Sequence, residues 1–191
     1  MLGTYPEGGR VQWEDVSFAE ADLRDAVAYG AVFKSCDFSN ARLEEVNFNQ
    51  CEFSHCRFAG TIEEVSFDGR SLPDRAPRAE MEDVDFTGAY FVNVDFRGYM
   101  LTGATLPNDP DVFPVRRFPC VARRVIDDLA GEESEPARIL RGVLQNGLPH
   151  TDVTPESVWV FNRRDWRAWG GDELATLAET EMKRAEAECL A

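Results

Sequence analysis

The sequence predicts a mainly β solenoid over residues 1–106, followed by a small all-α module. Three observations carry this. Large apolar residues recur at every fifth position from Trp13, a second series of small apolar residues runs two positions ahead of them, and both series stop after Leu106, where prolines and then helical spacing take over. A period of five fits neither the 3.6 of a helix nor the 2.0 of a strand, so the chain must turn a corner at each repeat.

The central series reads Trp13, Phe18, Leu23, Ala28, Phe33, Phe38, Leu43, Phe48, Phe53 and Phe58; the small series reads Val11, Val16, Ala21, Ala26, Ala31, Cys36, Ala41, Val46, Cys51 and Cys56. With stretches such as Ala21-Asp22-Leu23-Arg24-Asp25 and Cys36-Asp37-Phe38-Ser39-Asn40, the region 11–106 resembles the pentapeptide-repeat family. The resemblance implies a right-handed quadrilateral β-helix, in which about twenty residues make one coil and coils stack at about 4.8 Å. No single coil can bury its apolar side, but each covers the next, and stacked rings give a continuous core.

The register breaks twice. Ile62 falls one residue early, followed on time by Phe67 and Leu72. The segment Pro73-Asp74-Arg75-Ala76-Pro77-Arg78 carries two prolines, which cannot donate to a ladder, so a protruding loop is expected near 73–80. The pattern resumes at Met81, then Phe86, Phe91, Phe96, Leu101 and Leu106, which reads as a four-residue insertion and nineteen central positions, or nearly five coils. Asp74, Arg75 and Arg78 are the loop's candidate contact residues.

Sorting outward residues onto the four faces gives two candidate surfaces. The face of Leu23, Leu43, Ile62 and Phe86 is expected to present an acidic stripe of Asp22, Asp25, Glu44, Glu45, Glu63, Glu64 and Asp85 against Arg24 and Arg42. The stripe either binds a partner or serves only solubility. The face of Ala28, Phe48, Phe67 and Phe91 is expected to present Val27, Tyr29, Tyr90 and Val92, an apolar patch of the kind that marks an interface. The C-terminal module or a second subunit, giving a homodimer, is expected to cover it.

After Leu106, Pro107, Pro110, Pro114 and Pro119 mark a linker over 107–118, and 119–191 reads as the helical module. Pro119 opens a first helix with Val121, Val125, Ile126 and Leu129, and Ser134 caps a second with Ile139, Leu140, Val143 and Leu144, ended by Asn146-Gly147. Thr154-Pro155 opens a third helical candidate containing Val158, Phe161, Trp166 and Trp169, closed by Gly170-Gly171, after which Asp172 caps a last helix. Arg163, Arg164 and Arg167 beside these tryptophans are expected to pair with neighbouring acids rather than bind nucleic acid.

Five cysteines (Cys36, Cys51, Cys56, Cys120, Cys189), an odd number without CxxC spacing, and two histidines support neither a disulfide framework nor a metal site. Cys36, Cys51 and Cys56 occupy inward packing positions. No phosphate loop, nucleophile elbow or metalloprotease motif occurs, and no cofactor is expected. His55 shares a corner column with Asp15 and Ser35, but on a convex, solvated surface that offers no water-excluding cleft.

A net charge of -15 disfavours nucleic acid and anionic membrane and favours a basic protein partner. No apolar run is long enough to span a bilayer, and the expected compartment is the cytoplasm. The expectation is therefore a non-catalytic protein-interaction protein. The family resemblance further implies a DNA-mimicking binder of DNA gyrase or topoisomerase conferring resistance; the alternative is an adaptor whose helical module and loop hold the partner site.

Overall fold

The computed structural model describes residue 2 and residues 9–70, 80–148 and 157–191. The chain forms two compact units, Met1–Asp109 and Pro110–Ala191.

The first unit is made of short parallel strands in three four-stranded sheets. One contains Gln12–Glu14, Val32–Lys34, Glu52–Ser54 and Met81–Glu82; the next contains Asp37–Ser39, Arg57–Glu63, Val84–Val92 and Ala104–Thr105; the third contains Val27–Tyr29, Asn47–Asn49, Ser66–Asp68 and Asp95–Arg97. The fourth side is held by the Asp22–Arg42 bridge and by Ile62 paired with Phe91. This is the stacked, β-helical arrangement that the resemblance implies, with the chain turning at each five-residue repeat.

The central residues line up in columns. Phe18, Phe38, Phe58 and Phe86 stack at centroid separations of 4.9, 4.6 and 4.9 Å, and Phe48, Phe67 and Phe96 at 5.2 and 4.9 Å. Neighbouring columns meet edge to face, as in Phe38 against Phe48. Both geometries suit the ring quadrupole, and each buried ring adds roughly 1.5–3 kcal/mol of apolar transfer.

The corners explain the period. Two residues after most central positions the backbone enters the left-handed region: Asp15, Glu20, Asp25, Ser35, Asn40, Glu45, Gln50, His55 and Glu64 all have φ between 53° and 62°. That conformation disfavours β-branched residues, and none of these corners carries one. Each corner amide then donates to the next coil, as Ser35 does to Ser54 and Glu45 to Glu63.

The register past the loop differs from the sequence expectation. Phe33 and Phe53 are twenty residues apart, but Phe53 pairs with Met81 and Phe67 with Phe96. The insertion is thus nine residues, not four, and Met81 takes the place in the Phe53 column that Leu72 was expected to fill. Leu72 itself lies outside the described residues. Periodicity cannot tell a repeat residue inside an insertion from one on the ladder, and Leu72 falls on the five-residue beat. The one-residue deletion before Ile62 is absorbed as a bulge, where the ladder shifts between Asp85 and Gly88 opposite Arg57 and Ala59.

The second unit is not all-α. Within the expected linker, Val112–Val115 forms a strand that pairs antiparallel with Trp159–Asn162. Thr154-Pro155, where the third helix was expected to open, lies outside the described residues; Trp159–Asn162, within that expected helix, is a strand. Val160, Phe161 and Asn162 are consecutive buried residues, a run that suits a covered strand and gives no helical stripe. The helices are α1 (Phe118–Asp128), α2 (Glu135–Gly147) and α3 (Arg163–Leu190). Asn162 caps α3 by accepting from Arg164 N, and the helix is interrupted at Gly170 and Gly171, where φ of Gly171 is 80°. Ser134 occupies the N-cap of α2 without a side-chain capping bond. Phe118, Val121, Val125, Leu140, Leu144, Phe161, Trp166, Leu174 and Met182 form the core.

A further correction concerns the cysteines. Cys120 and Cys189 form a disulfide, with Cα atoms 6.1 Å apart and 69 residues between them in sequence. The partners meet only because α1 packs along α3, which spacing does not reveal.

Candidate partner-binding surface

The corrected register rearranges both expected faces. Asp22, Glu44 and Glu63 remain on the side of Leu23, Leu43 and Ile62, flanked by the corner residues Asp25, Glu45 and Glu64. Asp85 does not join them. It is paired with Arg57 and Thr105, on the side of Phe58 and Phe86. Phe91 takes its place opposite Ile62, which brings Tyr90 opposite Thr61 and Val92 opposite Glu63.

The expected apolar face is therefore divided. Val27 and Tyr29 stack on Asn47 and Asn49, which stack on Ser66 and Asp68, and those on Asp95 and Arg97. That side becomes polar along its length, with the ion pairs Arg70–Asp68 and Arg97–Asp95. Tyr90 and Val92 sit instead beside the acids of the neighbouring side. Asp74, Arg75 and Arg78 of the loop lie outside the described residues.

Within the acidic side, charge is unevenly compensated. Asp22 is bracketed by Arg24 at 2.7 Å and Arg42 at 3.4 Å, and Arg42 also reaches Glu44 at 3.7 Å. The Arg24 hydrogen bond drives the Asp22 carboxyl down to about 2. Among the described residues, Asp25, Glu45, Glu63 and Glu64 enter no ion pair, and all four are exposed. Asp25, Glu45 and Glu64 occupy one corner column. Like charges at the inter-coil spacing of about 4.8 Å repel, so this ridge is electrostatically complementary to a cationic surface. The left-handed corner holds these side chains outward; the sequence signal for it is a polar, non-β-branched residue two places after each central one.

Elsewhere the polar groups are engaged in structure. Asp37 accepts from the amide and hydroxyl of Ser39, and Asp85 from those of Thr87, at 2.5–2.9 Å, so both carboxyls lie below their usual range. His55 Nδ1 lies 2.9 Å from Asp83, an exposed contact that extends the Asp15–Ser35–His55 column by one coil. The Cys36, Cys51 and Cys56 thiols donate to backbone carbonyls, and burial pushes Cys51 and Cys56 up to about 12, where they are inert as nucleophiles.

In the second unit the arginines beside the tryptophans are ion-paired: Arg163 with Glu179, Arg164 with Asp111 and Arg167 with Asp172. Trp166 is buried, whereas Trp169 is 48% exposed. Among the described residues no cluster of His, Cys, Asp or Glu has the geometry of a metal site, and no helix is long and apolar enough to cross a membrane.

Comparison with known proteins identifies the first unit alone. Two family models, each described as pentapeptide repeats, match residues 10–69 and 79–108, on either side of the insertion. A search of curated proteins finds no match.

Proposed function

Because the chain belongs to the pentapeptide-repeat family through residues 10–108, we propose that it is a protein-interaction protein whose solenoid offers an acidic ridge to a basic protein surface. Members of this family are generally non-catalytic and bind other proteins. The observation that carries the reading is the set of exposed carboxylates, Asp25, Glu45, Glu63 and Glu64, left without ion pairs on a rigid ladder.

DNA gyrase or topoisomerase is the named candidate partner, with the acidic rod standing in for duplex DNA. Residues 1–106 hold nineteen acids against nine bases. About four and a half coils at about 4.8 Å would make a rod of roughly 22 Å, over which B-DNA carries about thirteen charges at one per 1.7 Å. The linear charge densities are of the same order.

The test is a gyrase supercoiling assay with the full chain and with Glu45→Lys, Glu63→Lys and Glu64→Lys combined. Inhibition or drug protection by the wild type, lost in the variant, supports the reading; no effect of the wild type at micromolar concentration ends the gyrase assignment. A second reading, an adaptor acting through the C-terminal unit, is favoured by Trp169, which is exposed beside the Gly170–Gly171 interruption of α3. It makes binding sensitive to Trp169→Ala and indifferent to the charge reversals.

A further inference from the structure

We propose that Cys120–Cys189 is a site of thiol–disulfide exchange with a dithiol reductant, and that its reduction releases the last turn of α3 from α1. The two sulfurs stand in opposite surroundings. Cys120 is exposed and is the third residue of α1, with Arg116 and Arg117 before it and Arg123 and Arg124 one turn on. A helix N-terminus and nearby guanidinium groups draw in an anionic attacking thiolate, and stabilise the Cys120 thiolate that leaves in the resolving step. Cys189 is buried in the final turn of α3, just after Glu186 and Glu188, and is shielded from an attacking thiolate. The other three cysteines are enclosed in the solenoid. An external thiol therefore meets one accessible, electrostatically activated sulfur.

What the bond holds is also defined. Besides the disulfide, the end of α3 is tied to the start of α1 by the Arg124–Glu188 pair, by the Glu186 carboxylate accepting from Arg116 N at 2.7 Å, and by the Arg117 guanidinium donating to the Cys189 carbonyl. Surface ion pairs of this kind hold weakly. The disulfide closes a loop containing most of the second unit, so cutting it restores much chain entropy to the unfolded state.

The exchange balances. The reductant's thiolate bonds to Cys120 Sγ, the Cys120–Cys189 bond breaks, and Cys189 leaves as a thiolate that takes a proton from water. The reductant's second thiol, after losing its proton, attacks its own mixed-disulfide sulfur and expels Cys120 as a thiolate. Two electrons pass to the protein and the reductant becomes a disulfide.

The experiment uses the full chain. Thiol titration after denaturation should find three thiols in the oxidised protein and five after reduction, given five cysteines and one disulfide. In native buffer, dithiothreitol should open the bond without denaturant, and iodoacetamide should then label Cys120 at least about tenfold faster than Cys189. Reduction should lower the melting temperature of the second unit by at least about 10 °C and expose the end of α3 to carboxypeptidase. Cys120→Ser and Cys189→Ser should each show that behaviour without reductant; should either fail to fold, the wild type before and after reduction gives the same comparison. Five thiols in the oxidised protein, a bond that opens only in denaturant, equal labelling of the two cysteines, or reduction that leaves melting and proteolysis unchanged would each overturn the proposal.

Discussion

The Tyr99 hydroxyl donates to the Cys51 carbonyl at 2.5 Å, from a ring that is fully buried. Elsewhere the equivalent carbonyls accept from a backbone amide one coil on: Ala31 from Glu52, Cys36 from Arg57 and Cys56 from Asp85. Cys51 precedes the coil that carries the insertion, and at that corner a side chain supplies the hydrogen bond. Tyr99→Phe should therefore destabilise the solenoid by about 1–3 kcal/mol through an unsatisfied buried carbonyl, measured by urea unfolding.

The same residue gives a pH signature. Burial raises the Tyr99 hydroxyl well above its usual 10.0. A folded-state value above the unfolded one contributes stability that is complete below about pH 10 and declines as pH rises past it. Unfolding should become easier in alkali with a slope that Tyr99→Phe removes, as read from denaturant midpoints between pH 8 and 11.

Gly69 is required by close approach. A Cβ there would fall 2.7 Å from the Tyr99 ring. Because that ring is hydrogen-bonded and enclosed, it cannot retreat, and Gly69→Ala should cost about 1–3 kcal/mol in thermal or chemical unfolding.

His55 tests the corner rule. Its φ of 53° admits glycine freely and opposes a β-branched side chain. His55→Val should destabilise by about 1–2 kcal/mol while His55→Gly stays within about 0.5 kcal/mol of wild type, since the exposed contact with Asp83 adds little. Equal losses in the two variants would show that the imidazole, not the backbone, matters there.

Acid should loosen the repeats. Asp37 and Asp85 lie below 3.8 because Ser39 and Thr87 donate to their ionised forms, and Asp22 is held near 2 by Arg24. Depressed folded-state values contribute stability present above about pH 4 and lost as pH falls towards 2. Ser39→Ala and Thr87→Ala together should flatten that loss, measured by circular dichroism melts across the interval.

How much of this was legible in the sequence depends on how local the signal is. Phe18, Phe38 and Phe58 announce a stacked column because one period repeats without interruption. The column of Phe86 was misplaced because Leu72 keeps the beat inside an insertion, and the error carried Asp85, Tyr90 and Val92 onto the wrong sides. Thr154-Pro155, the apolar set through Trp169 and Gly170-Gly171 spell a helix across Trp159–Asn162, because the partner that makes this segment a strand is more than forty residues away. The pairing of Cys120 with Cys189 is a property of helix packing that residue spacing does not carry, whereas the αL corners leave a local mark, a residue that is not β-branched two places after the central one. The acids Asp25, Glu45, Glu63 and Glu64 were visible as charges; that Arg24 and Arg42 attend to Asp22 and Glu44 and leave these four alone needed coordinates.

The pairing of Phe53 with Met81 across an eight-residue excess separates register from length at one corner of the solenoid. Segments of other lengths grafted between Gly69 and Met81 need not disturb the ring columns above or below. Evolution, or an engineer, can thus alter what is displayed there while the scaffold continues to measure out its coils by the same ruler.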